Sequence, residues 1–111
     1  MTITYADFEK VDLRAGTITK AEEFPEAKKP AYKIWVDFGP DIGVLATSAQ
    51  VTVHYKPYTL EGRMVVGCVN LEPKKIAGFT SQFLLVGFAD EQEAVCLISC
   101  EKRVPNGRKL F

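Results

Sequence analysis

Tyr32, Ile34, Val36 and Phe38 alternate with Lys33, Trp35 and Asp37. A strand sends successive side chains to opposite faces, and here one set is wholly apolar while the other carries charge. The run predicts a half-buried strand in a sheet with one covered face. Gly39-Pro40-Asp41-Ile42-Gly43 follows and has the chemistry of a hairpin connection. Residues 44–48 continue as the return strand. Upstream, residues 13–21 read as a first strand, and Ala15-Gly16 suggests a bend or bulge within it. Helix is expected only in two short pieces. Thr4-Tyr5-Ala6-Asp7-Phe8-Glu9-Lys10 reads as an N-capped turn with Asp7 placed to help the cap, and residues 49–61, with Pro57, as a helical connector.

Residues 64–69 and 83–88, and nearly so 95–100, are apolar at odd and even positions alike. In a small barrel alternate side chains point inward and the others meet water. Strands apolar on both sides need a second cover, and little of the chain is left to supply one. A homodimer interface is the simplest cover, burying about 800 Å² per partner. Asp90-Glu91-Gln92-Glu93 reads as a solvated acidic hairpin tip, and Val104-Pro105-Asn106-Gly107 as a turn into a last extended segment.

The 111 residues read as one domain, 1–111, with no repeat or low-complexity tract. Lys+Arg and Asp+Glu are 14 each, so net charge is zero. Affinity for nucleic acid comes largely from counterion release by basic side chains, so neutrality argues against a general nucleic-acid coat protein. The start lacks a secretory signal and no window spans a membrane, which implies a cytoplasmic protein without membrane insertion. Cys68, Cys96 and Cys100 form no CxxC pair and lie in apolar strand-like segments, where buried reduced thiols are expected. His54 is the only histidine, which rules out a His-rich metal site. No phosphate loop, paired carboxylates or nucleophile setting occurs, so neither enzyme chemistry nor a cofactor is expected.

Residues 70–82 mix Pro73, the pair Lys74 and Lys75, Gly78-Phe79 and Thr80-Ser81-Gln82 between two apolar strands. No core needs that mixture; it reads as a ligand surface presented by a sheet. Basic, aromatic and amide groups on one face can hold a phosphate backbone with stacked bases or an extended peptide. Lys33 and Trp35 share the face opposite Ile34 and Val36. Trp35 there is either a binding anchor or packed under the loop of residues 22–30 or in a dimer seam.

Asp12-Leu13-Arg14-Ala15-Gly16-Thr17-Ile18, residues 70–82 and Val104-Pro105-Asn106-Gly107, in that order, resemble the tRNA-binding-domain family of OB-folds. The resemblance covers nearly the whole chain. It implies an all-β fold, a five-stranded Greek-key barrel with a short N-terminal helix and a C-terminal extension. The family includes structure-specific tRNA-binding proteins, appended domains of methionyl-tRNA synthetase, and small dimeric export-related chaperones. Residues 24–33 and Asp37-Phe38-Gly39-Pro40 look most like the chaperones. Ser81-Gln82 match the Ser-Gln-Gly-Met-like phrase of the tRNA binders, but Phe83-Leu84 replace its Gly-Met, and Trp35 stands where a polar or basic residue is common. These departures favour unfolded or presecretory polypeptide as ligand, with the export translocase motor as a further partner. Trp35 and Phe79 would supply apolar area, and Lys33, Lys75, Ser81 and Gln82 polar contacts. The alternative is tRNA, held by Lys33, Lys74 and Lys75 on phosphates and by Ser81 and Gln82 on sugar or base edges.

Overall fold

The computed structural model describes residues 1–111. Strand β1 (Leu13–Glu23) is the spine. Its first half pairs antiparallel with β4 (Met64–Cys68) and its second half with β2 (Tyr32–Asp37), which pairs onward with β3 (Val44–Ala49). The five-stranded sheet runs β3-β2-β1-β4-β7, with β7 only Leu84–Leu85. The sheet curls into a nearly closed antiparallel barrel of the OB type, the all-β architecture expected.

Tyr32, Ile34, Val36 and Phe38 are all buried, as their alternation demands. They join Ile18, Val51, Val65 and Phe83 in the core. The helix α2 (Pro57–Leu60) lies between β3 and β4 and inserts Leu60, which has no exposed surface. At the other end α1 (Tyr5–Glu9) is closed by a capping box: Asp7 N–H donates to Thr4 Oγ1 at 3.1 Å, and Thr4 N–H to the Asp7 carboxylate.

The bulge expected at Ala15-Gly16 lies instead at Thr19, where register slips between Ile18 and Lys20. Ala15 and Gly16 pair regularly with Val66 and Val65. The strand bends just after its pairing has passed from β4 to β2. Gly16 serves packing: a Cβ there would stand 2.5 Å from Val36 Cγ1 and 2.9 Å from Phe38 Cδ1.

The two-sided apolar run of β4 is covered within one chain, since all five residues are buried. That part of the case for a second subunit falls away. Residues 83–88 do not form one strand. After β7 the chain turns into a hairpin of β8 (Gly87–Ala89) and β9 (Val95–Leu97). Phe88 pairs with Cys96 on its outer face, and both are exposed. Of the three thiols only Cys68 is buried, so the expectation of three buried thiols fails at Cys96 and, half-buried, at Cys100. Alternation on β9 turns Val95 and Leu97 to the core and Cys96 away.

The tip of that hairpin is more than a solvated turn. Asp90 Oδ1 accepts the Gln92 and Ala94 N–H groups at 2.8 and 2.9 Å, and Oδ2 lies 2.6 Å from His54 Nε2. The Ala94 N–H, then His54, hold its carboxyl below the usual carboxylate range. A carboxyl depressed on folding adds stability above its unfolded value near ~3.9, and that stability is lost as pH falls through the folded value. Asp90→Asn should therefore lower stability at neutral pH and flatten its decline below about pH 4. Urea midpoints from pH 2 to 7 would show this; parallel curves for both proteins would contradict it.

The last segment is fixed by Val104-Pro105-Asn106-Gly107. Gly107 N–H donates to Ala15 O at 2.7 Å, Thr17 Oγ1 to Asn106 Oδ1 at 2.7 Å, and Arg14 Nη1 to Gly107 O at 3.0 Å. Gly107 has φ +94°, and a Cβ would meet Phe38 O at 2.5 Å. The motif is a structural clasp binding the C-terminal segment to β1.

Candidate functional site

Residues 74–81 form a hairpin that the sequence reading did not resolve: β5 (Lys74–Ile76) and β6 (Phe79–Ser81) joined by Ala77-Gly78. Both turn residues have positive φ, 47° and 81°, the geometry of a two-residue hairpin turn. Directly opposed residues share a face, so Lys74, Ile76, Phe79 and Ser81 lie on one side and Lys75 with Thr80 on the other.

The hairpin carries Phe79 to the outer face of β2. Its ring meets Trp35 edge-on, with centroids 5.9 Å apart at 81°, and Phe24 at 5.6 Å and 63°. Two ammonium groups lie on these rings. Lys33 Nζ is 4.9 Å from the Phe24 centroid and 5.2 Å from that of Phe79; Lys20 Nζ is 4.7 Å from the Trp35 centroid and 3.4 Å from a Glu22 carboxylate oxygen. Each contact is worth about 0.5–1 kcal/mol at an exposed site, enough to bias the lysine heads but not to immobilise them. Phe24 is buried; Lys33, Trp35 and Phe79 are half-buried. The result is a partly ordered apolar surface edged by cations, able to take apolar groups flanked by carbonyl or anionic oxygens.

Trp35, Phe79 and Lys33 thus come together, while Lys75 is exposed on the far face of its hairpin. Ser81 and Gln82 stitch the hairpin to β3. Ser81 Oγ accepts Ser48 N–H at 2.8 Å and shares a hydrogen bond with Thr47 Oγ1 at 2.9 Å. Gln82 Oε1 accepts Ala46 N–H at 2.9 Å, and Gln82 N–H donates back to Ala46 O at 2.7 Å. Lys74 lines a groove between β3 and β7. Phe24 and Lys20 are additions that sequence reasoning missed. Lys20 is the cross-strand partner of Trp35, which becomes visible only once the bulge at Thr19 sets the register. No group of three His, Cys, Asp or Glu side chains is arranged to hold a metal ion.

Residues 13–109 match the family model described as "Putative tRNA binding domain". The chain belongs to the tRNA-binding-domain family. Among solved structures, the tRNA-binding-domain fold here is similar to the chaperone CsaA from Bacillus anthracis str. Ames, with 41% identity, TM-score 0.92 and full coverage of both chains. The CsaA chaperone protein from Picrophilus torridus is 39% identical with TM-score 0.92, covering 99% of this chain and 100% of that one. Among curated relatives, the methionine–tRNA ligase of Pyrococcus abyssi is 40% identical over 110 residues, 99% of this chain. The chain spans only 15% of that ligase.

Proposed function

We propose that the protein is a binding module without chemistry of its own, a CsaA-type chaperone that holds non-native polypeptide. The observation that carries this reading is the cluster of Phe24, Trp35 and Phe79 edged by Lys20 and Lys33. Trp35 and Phe79, half-buried and backed by the buried Phe24, suit exposed apolar side chains of a client, and the lysines suit its carbonyls and carboxylates. On a chain of zero net charge, apolar contact is the dominant source of affinity. Shallow apolar contact also makes binding sequence-tolerant. The Gln82 amide nitrogen remains as a donor, and Lys75 contributes only where a client wraps the hairpin. Presecretory chains are the proposed clients, handed in the cytoplasm to the export translocase motor. The proposed homodimer would cover apolar side chains left outside the barrel and away from the groove between β3 and β7, among them Phe88, Leu110 and Phe111. The match to CsaA chaperone structures over their whole length supports the chaperone reading.

The family model and the lysines around the site favour a second reading, recognition of tRNA by its shape. Salt separates the two. Three phosphate contacts, by Lys33, Lys74 and Lys75, would weaken binding roughly 100- to 500-fold for a tenfold rise in salt. Apolar peptide binding changes little. Trp35 is the sole tryptophan, so its fluorescence reports this face without ambiguity. A salt-tolerant shift with an unfolded apolar peptide is the expected result. A shift with tRNA alone that high salt abolishes would establish the second reading instead.

A further inference from the structure

A second site lies where the barrel fails to close. An edge strand offers the N–H and C=O groups of every second residue to a new neighbour. On β3 the Ala46 N–H and C=O and the Ser48 N–H point away from β2 and are met by Gln82 and Ser81. The Gln82 N–H on Ala46 O begins a parallel ladder, but the ladder stops there. The Ser81 hydroxyl replaces the next rung, and the chain leaves through Phe83, whose carbonyl accepts from Thr47 Oγ1 at 2.8 Å.

Beyond that point the edge is open. The Ser48 carbonyl meets only the Thr47 hydroxyl at 3.5 Å, and the Gln50 N–H has no acceptor. These two groups flank Ala49 and are the acceptor and donor that one residue of a parallel strand engages. They open onto a groove of about 530 Å³, within the range of ligand pockets. Its walls are apolar: Val51 and Phe83 are buried, and Ile76, Leu85 and Val95 half-buried. Lys74 and Glu72 stand at the rim with opposite charge, so no net charge selects an anion.

We propose that this seam accepts an extended, uncharged apolar segment of a non-native polypeptide as an added strand parallel to β3. The Ser48 C=O and Gln50 N–H form its rung. Main-chain pairing gives affinity without sequence preference, and the apolar walls select apolar side chains. A second copy of the chain does not fit this edge. A twofold axis would pair the two β3 edges antiparallel and call on both the N–H and the C=O of single residues, and Ala46 and the Ser48 N–H are already engaged. The inference rests on the polypeptide-binding reading and gives it a site distinct from the Trp35–Phe79 face.

The test uses a capped octapeptide of alternating valine and serine, with two counterparts N-methylated at every valine or at every serine. Methylation removes the peptide donors on one edge only and leaves the protein untouched. One methylated frame should bind at least tenfold more weakly than the parent, and the other about as well. Amide exchange at Gln50 should slow when the parent binds, and Gln50→Pro should weaken it about tenfold. Equal binding by all three peptides, or protection confined to the Trp35–Phe79 face, would overturn the seam while leaving polypeptide binding intact. No binding by any of them at millimolar concentration would overturn both. Protection of Gln50 by tRNA and not by peptide would overturn the proposed occupant.

Discussion

Phe38→Ala is expected to cost about 3–5 kcal/mol and to lower the urea midpoint by roughly 2 M. Phe38 is 1% exposed and packs edge-on against Phe83 at 5.0 Å and 83°. It is also hemmed in by backbone. A Cβ on Gly67 would stand 2.8 Å from its Cζ, one on Gly16 2.9 Å from its Cδ1, and one on Gly107 2.5 Å from its carbonyl. Two bare backbones crowd the ring and a third crowds its carbonyl, so the surroundings can collapse little when the ring is removed. A loss below about 1.5 kcal/mol, the range of a volume-conserving swap, would mean that the site can collapse after all. Phe38→Leu, which keeps most of the volume, should stay within that range.

Phe79→Ala should weaken peptide binding at the aromatic face about 30-fold, equivalent to ~2 kcal/mol, with a smaller effect on stability. Phe79 is the only ring that touches both Trp35 and Phe24, and it supplies one of the two ring faces under Lys33. Its loss removes contact area, frees Trp35 and leaves the Lys33 head on Phe24 alone. The side chain is half-buried on the outside of the sheet, so the core does not depend on it. Fluorescence anisotropy of a labelled unfolded peptide, paired with a urea melt of the same variant, separates the two effects. Unchanged affinity with unchanged stability would shift peptide binding to the seam beside β3.

The barrel was legible because its signals are local. Alternation from Tyr32 to Phe38 needs only the two-residue period of a strand, and all four apolar members are buried. Thr4 and Asp7 sit three residues apart, the reach of a capping box. The phrases that carry the family resemblance lie in parts of the chain whose geometry tolerates little change, such as Gly16 against Val36 and Gly107 against Phe38. Where the reading failed, the deciding contact was distant. The bulge moved to Thr19 because β1 changes partners along its length. The run 83–88 broke in two because β4 accepts only Leu84 and Leu85 as partners. Cys96 is exposed because a hairpin standing off the sheet has one face to the core and one to solvent.

The candidate site divides in the same way. The sequence by itself determined the residue types near the site, the strand that bears Lys33 and Trp35, and the family. It could do so because composition and short-period alternation are properties of neighbours along the chain. Tertiary structure alone decided that Phe24 and Lys20 join Trp35, that Lys75 faces away, and that Ser81 and Gln82 stitch β3 instead of standing free. The first follows from register, since a one-residue shift on β1 exchanges the two faces of every residue after it, and the others from the pairing of β5 with β6 and the docking of that hairpin on β3.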